Sequence, residues 1–142
     1  MSNVTATCLC GAVKITAEQV DPKFTVCHCH TCRTWGGGPL FAMRCGVNIV
    51  FEHEHKISQY ASSSWASRGF CSECGTHLFY RLNQTGEYNV PVGLFAHLTE
   101  LEFEMAIQYF SDARPSYYCF SNQTKEMTTE QIMAYFASQR DR

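Results

Sequence analysis

Nine cysteines stand in this chain, and seven of them fall into tight groups: Cys8 and Cys10, then Cys27, Cys29 and Cys32, then Cys71 and Cys74. Thiolates are preferred ligands of a borderline-soft divalent ion such as zinc, at about 2.3 Å, and Cys-x-Cys and Cys-x-x-Cys spacers bring two sulfurs of one turn to the same ion. A Cys-x-x-Cys alone also fits a redox pair that opens a helix after a strand, but the alternating α/β pattern around such a pair is missing here. A disulfide framework suits a secreted chain with an even number of cysteines. The number here is odd, and Met1 to Thr7 carries neither the basic nor the apolar stretch of a secretory signal. Metal ligation is therefore the better explanation, and the cytoplasm is the expected compartment.

Seven clustered thiols can be divided between ions in more than one way. In the economical division Cys8, Cys10, Cys71 and Cys74 close one structural zinc, with Gly75 supplying the positive backbone angle of the turn that follows Cys74. Such a site ties the start of the chain to its middle, and structural zinc contributes directly to folding. Cys27, Cys29 and Cys32 then offer three ligands from one segment and leave a position open, the arrangement through which a catalytic zinc admits water or an external thiol. His28 or His30 could close that position, although neighbours within a ligand turn usually point away from the ion. Two closed structural sites fit the same spacings.

The elements that must hold these turns are mostly strands. Val13, Ile15 and Ala17 alternate with Lys14, Thr16 and Glu18, the period of a half-buried strand, and Cys8 and Cys10 are expected to precede this first strand. Leu78, Tyr80 and Leu82 share a face of a second strand; Tyr88, Val90, Val92 and Leu94 share one of a third, where Pro91 argues for an edge or a bulge. Phe103, Met105, Ile107 and Tyr109 mark a fourth. Gly36-Gly37-Gly38-Pro39 turns the chain into Leu40-Phe41-Ala42-Met43, while residues 62–64 and 83–86 read as loops. One helix is expected, near the end of the chain. Thr128 and Gln131 form its capping box, Met127 and Ile132 its staple, and Ile132, Met133, Tyr135 and Phe136 an apolar stripe that packs on the sheets.

A chain of 142 residues supports one core, so residues 1–142 are expected to form a single zinc-binding domain. A hydrophobic fraction of 45% against 17% charged residues is that of a globular protein, and no apolar run reaches membrane-spanning length. A net charge of -2 without a dense cluster of Lys and Arg argues against nucleic acid as a partner.

Three ordered motifs now stand out: Cys8-Leu9-Cys10-Gly11-Ala12-Val13, then Cys27-His28-Cys29-His30-Thr31-Cys32-Arg33, then Arg68-Gly69-Phe70-Cys71-Ser72-Glu73-Cys74-Gly75-Thr76-His77-Leu78. Through them the chain resembles the glutathione-dependent formaldehyde-activating enzyme family, which includes centromere protein V. The resemblance implies a mostly β fold of several small coiled antiparallel sheets around zinc knuckles, often called a beta-tent, here with a C-terminal α-helix. It implies two Zn²⁺, one structural at Cys8, Cys10, Cys71 and Cys74, and one at an active site formed by Cys27, Cys29 and Cys32.

The reaction it implies is that of a carbon–sulfur lyase or synthase: a zinc-bound thiolate of glutathione or a similar small thiol adds to formaldehyde or another small aldehyde, as in S-(hydroxymethyl)glutathione synthesis. Arg33 would then pair with a ligand carboxylate and His28 or His30 would shuttle a proton, though surface or charge-balancing roles are favoured for all three. Where many members carry Ala-Pro-Trp, this chain has Ala113-Arg114-Pro115-Ser116-Tyr117-Tyr118, and Phe95-Ala96-His97 replaces a frequent aspartate, so a different substrate pocket is expected. Tyr117, Tyr118 and Phe120 are favoured as core rather than pocket lining, and Cys45 and Cys119 as buried small hydrophobes. Two other functions fit the cysteines: a non-catalytic zinc module that binds a protein partner, and a thiol redox sensor whose three-cysteine group loses its metal and forms a disulfide.

Overall fold

A computed structural model describes residues 3–140. In chain order it contains strands β1 (Val4–Thr7), β2 (Lys14–Ala17) and β3 (Lys23–Cys27), helix α1 (His30–Gly36), then β4 (Leu40–Gly46), β5 (Ile49–Glu52), β6 (Ile57–Tyr60), β7 (Ala66–Cys71), β8 (His77–Leu82), β9 (Tyr88–Pro91), β10 (Glu104–Tyr109), β11 (Lys125–Met127) and helix α2 (Thr129–Arg140). Short 3-10 turns follow β5, β9 and β10. The chain separates into two compact units, one running to Pro22 and resuming over Ala42–Glu102, the other made of Lys23–Phe41 and the residues from Phe103 onward.

In the first unit β1, β2 and β5 form an antiparallel sheet, in which Val13, Ile15 and Ala17 are fully buried as their alternation requires. A second run of strands pairs antiparallel in the order β4-β9-β8-β7-β6. Met43, Cys45, Leu78 and Val90 are buried from these strands, and Phe51, Phe79 and Tyr88 meet as an aromatic trio with ring centroids 5.0 to 5.4 Å apart. Burying apolar side chains of this size contributes about 1.5–3 kcal/mol each.

One expectation for this unit is extended and one corrected. Cys8 and Cys10 precede the expected strand, β2, but a strand missed in the sequence, β1, comes before them, where Val4 and Ala6 already alternate inward, so both cysteines lie in the connection of the β1-β2 hairpin. The strand at Tyr88 stops at Pro91, whose missing N–H ends the ladder, and Val92 and Leu94 fall in the following 3-10 turn. β4 and β8 both flank β9, but β8 pairs only with Tyr88 and Asn89, so Pro91, opposite Ala42 of β4, stands where one side of the ladder is open, as its missing N–H suits.

The second unit departs from an all-antiparallel fold. β10 runs parallel to both β3 and β11, so the sheets are mixed. The reason lies in the connections: long excursions, rather than tight turns, bring these three strands together, and only such crossovers can join parallel neighbours. The chain also has a helix that strand periodicity missed, the short α1, which starts directly after Cys29 and ends where Gly37 takes φ 84°. At α2 the capping box forms as expected, Thr128 N donating to Gln131 Oε1 at 2.8 Å and Gln131 N to Thr128 Oγ1 at 3.3 Å. Its apolar stripe does not pack: Ile132 is buried, whereas Met133, Tyr135 and Phe136 are exposed. No helix among the described residues is long and apolar enough to cross a membrane.

Candidate metal centres

Two hairpin turns of the first unit build one cluster. Cys8 and Cys10 come from the β1-β2 connection and Cys71 and Cys74 from the β7-β8 connection, and each turn is closed by a glycine with positive φ, Gly11 at 81° and Gly75 at 79°. The closures match: Gly11 N donates to Cys8 O at 2.9 Å and Gly75 N to Cys71 O at 2.8 Å. All four sulfurs lie within 4.8 Å of one another. Cys10 Sγ is 3.6 Å from Cys8 Sγ and 3.8 Å from Cys71 Sγ. A tetrahedral ion with metal–sulfur bonds of about 2.3 Å has edges of about 3.8 Å, so the four donors fit such an ion.

Thr76 joins the two turns. Its Oγ1 accepts from Leu9 N at 3.0 Å and donates to Cys74 Sγ at 3.1 Å. That hydroxyl, followed by the backbone N–H groups of Thr76 and Cys10, lowers the Cys74 thiol to about 5, so the sulfur is an anion ready to ligate. Val13 N donates to Cys8 Sγ at 3.3 Å in the same manner.

The second unit holds the other cluster. Cys27 ends β3, Cys29 caps α1, and Cys32 is buried one turn inside that helix. Cys29 Sγ accepts from Cys32 N at 3.4 Å, the N-cap contact that a serine hydroxyl makes elsewhere. The three sulfurs lie within 4.8 Å of one another. The neighbouring sulfurs of Cys29 and Cys32, and then burial, push the Cys27 thiol far up: three thiols this close do not all ionise unless a cation shares their charge. A bound metal ion relieves that repulsion. Both clusters are therefore able to chelate a metal ion.

Of the residues beside these cysteines, His30 sits as expected and His28 does not. His28 is fully buried, not exposed, with Nε2 at 2.8 Å from Gln108 Oε1 and Nδ1 at 2.7 Å from the Tyr118 hydroxyl. Both ring nitrogens are thus engaged away from the sulfurs. Burial, with the Arg114 guanidinium close by, holds His28 below the usual imidazole range. His30 is exposed and lies 3.4 Å from Thr34 Oγ1. Arg33 Nε donates to His28 O at 2.9 Å, so this guanidinium braces the backbone of the ligand turn.

Two further expectations change, those for the aromatic residues and for Cys119, while Cys45 is buried as expected. Tyr117 is exposed and Tyr118 and Phe120 are half-buried, so they are surface or rim residues and not core. Cys119 is exposed, while Cys45 is buried and its thiol pushed up to about 12 by that burial. Gln108 was overlooked: it lies opposite the apolar face of Met105, Ile107 and Tyr109, where alternation places solvent, yet it is buried.

A mostly β protein that gathers two cysteine clusters able to hold metal is the class that fold and sites define. The chain belongs to the glutathione-dependent formaldehyde-activating enzyme family, which it matches over residues 3–113. It is 35% identical over 127 residues to an uncharacterized lyase of Schizosaccharomyces pombe, with 89% of this chain and 91% of that protein covered. The crystal structure of a Rhodobacter sphaeroides protein resembles it in fold, with a TM-score of 0.57 at 22% identity over 72% of this chain and 100% of that one.

Proposed function

We propose that this protein is a zinc-dependent carbon–sulfur lyase or synthase that joins a small thiol, glutathione or a relative, to formaldehyde or another small aldehyde. The observation that carries the proposal is the convergence of Cys27, Cys29 and Cys32, a group that offers three donors among the described residues where Cys8, Cys10, Cys71 and Cys74 offer four. Family membership and the relative called a lyase support the reaction class.

In this proposal the four-cysteine cluster holds a structural zinc and the three-cysteine cluster an active-site zinc. Zinc held by Cys27, Cys29 and Cys32 would supply positive charge that lowers the pKa of an incoming thiol. The chain's own residues keep these three donors in place. Cys29 fixes the start of α1, Arg33 ties the helix back to the turn that carries Cys27 and Cys29, and Gln108 and Tyr118 engage both ring nitrogens of His28, which would leave the three cysteines to hold the ion. The thiol gives up its proton, its sulfur forms a bond to the aldehyde carbon, the carbonyl π pair moves to oxygen, and that oxygen takes up a proton in return to give the hemithioacetal.

The test is a zinc count with X-ray absorption on the purified protein, before and after adding glutathione, alongside exchange NMR of glutathione and formaldehyde. Two zinc ions, one of which gains a sulfur neighbour, and a faster exchange are expected. Coordination indifferent to glutathione, with exchange at the uncatalysed rate, would turn the assignment to a non-catalytic zinc module.

A further inference from the structure

Arg33 is the permanently charged side chain of α1, and both of its ends are fixed to the segment that carries Cys27, Cys29 and Cys32. Its Cα belongs to the residue after Cys32. Its Nε donates at 2.9 Å to His28 O, the carbonyl of the peptide that joins His28 to Cys29. A guanidinium is a planar group of five N–H donors that accepts nothing. The Nε–H is spent on the backbone, which anchors the group and leaves the hydrogens of its two Nη atoms. Among the described residues, no hydrogen bond or ion pair takes up those two atoms.

The surrounding sequence offers this cation no acid. No Asp or Glu occurs between Asp21 and Glu52, and the first turn of α1 is without one. In the second unit Asp112 is engaged in accepting from Thr129, and Glu126 pairs with Arg114 at 3.5 Å. Arg33 is half-buried, so the group is neither sealed in nor loose in solvent. Offsetting the charge of nearby thiolates would ask only for a cation. A guanidinium anchored through Nε, with both Nη atoms unengaged, has in addition the forked shape that receives a carboxylate through two parallel hydrogen bonds.

We propose that Arg33 is a specificity-determining residue of the three-cysteine site, pairing through its two Nη atoms with a carboxylate of the incoming thiol. The assignment rests on the function proposed above and deepens it, because it narrows the thiol to one that carries a carboxylate several bonds from its sulfur. Glutathione, with a carboxylate at each end, belongs to that class, and a neutral thiol such as its diester does not. One side chain then braces the turn that bears Cys27 and Cys29 and also reads the ligand.

Binding titrations of the zinc-loaded protein with glutathione and with glutathione diethyl ester test this, since the ester keeps the thiol and the peptide and has no carboxylate. The unaltered protein is expected to prefer glutathione about tenfold or more, the size of one hydrogen bond to a charged group. Arg33→Gln is the informative variant. The glutamine Nε2 stands as many bonds from Cα as the arginine Nε, so it can still donate to His28 O, while the fork and its charge are gone. It is expected to keep the zinc content and the affinity for the ester, and to lose the preference for glutathione. Equal binding of both thiols by the unaltered protein would overturn the assignment and leave the proposed function standing. Equal weakening of both thiols in Arg33→Gln would also overturn it, making Arg33 a counter-charge for thiolates. Loss of zinc from Arg33→Gln would overturn it as well, making the side chain part of the metal-binding turn alone. Failure of the unaltered protein to bind either thiol would instead remove the function on which the assignment rests.

Discussion

At the scale of single residues, the chemistry of a thiol is decided by who donates to it. Cys74 is held near 5 by the Thr76 hydroxyl and by backbone N–H groups, whereas Cys45, buried among strands, is driven to about 12 and behaves as a small hydrophobe. Thr76 has a role out of proportion to its size, since one oxygen touches both ligand turns. Thr76→Val keeps the shape and deletes both contacts. It is expected to lower metal affinity at the four-cysteine cluster by about 10- to 100-fold, the usual effect of losing an outer-shell partner, as read by competition with a chelator of known affinity. Unchanged competition would mean the backbone donors suffice.

At the scale of elements, hairpins do the work of presenting ligands, and their packing sets how firmly they do so. β7 and β8 deliver Cys71 and Cys74, and their contact depends on Gly69, where an added Cβ would lie 2.3 Å from the Phe79 ring. That ring is buried against Phe51 and Tyr88, so moving it aside would disturb their packing. Gly69→Ala is therefore expected to destabilise the fold by about 1–3 kcal/mol in urea unfolding, the cost of overpacking, with a visible shift in the aromatic near-UV signal. Near-neutral stability would show that the strands can part more easily than their packing implies. α2 makes the opposite case. Its start is fixed by reciprocal hydrogen bonds between Thr128 and Gln131, and Asp112 adds a further cap by accepting from Thr129 N at 2.7 Å. Its apolar side chains beyond Ile132 bury little, so capping rather than packing holds this helix in register.

At the scale of the whole molecule, each compact unit owns one thiol cluster: Cys8, Cys10, Cys71 and Cys74 fall in the first, Cys27, Cys29 and Cys32 in the second. Metal bound to preformed thiolates contributes its binding free energy to the unit that holds it, about 10–16 kcal/mol in small zinc peptides. Cys71→Ser is therefore expected to raise amide exchange most strongly across the first unit, including residues as distant in sequence as β1. Cys29→Ser is expected to leave the first unit protected, with one zinc ion fewer. Hydrogen exchange by mass spectrometry, with metal counted in parallel, checks both. Identical exchange patterns in the two variants would mean that the clusters do not stabilise their units separately.

Ligand spacing, hairpin glycines, the buried face of β2 and the capping box of α2 were all legible in the chain, because each depends on residues within a few positions of one another. The family was legible for the same reason, through three short motifs. What tertiary structure decided was everything whose partner lies far along the chain. Periodicity could not show that β3, β10 and β11 pair in parallel, since strand direction depends on how long connections cross. It could not show that Met133, Tyr135 and Phe136 stay exposed, since a stripe needs a surface to meet. Nor could it show that Gln108, on the polar face of its strand, is buried against His28, which stands 80 positions earlier. A polar side chain is placed inside only by a hydrogen-bond partner, and that partner comes from the folded chain.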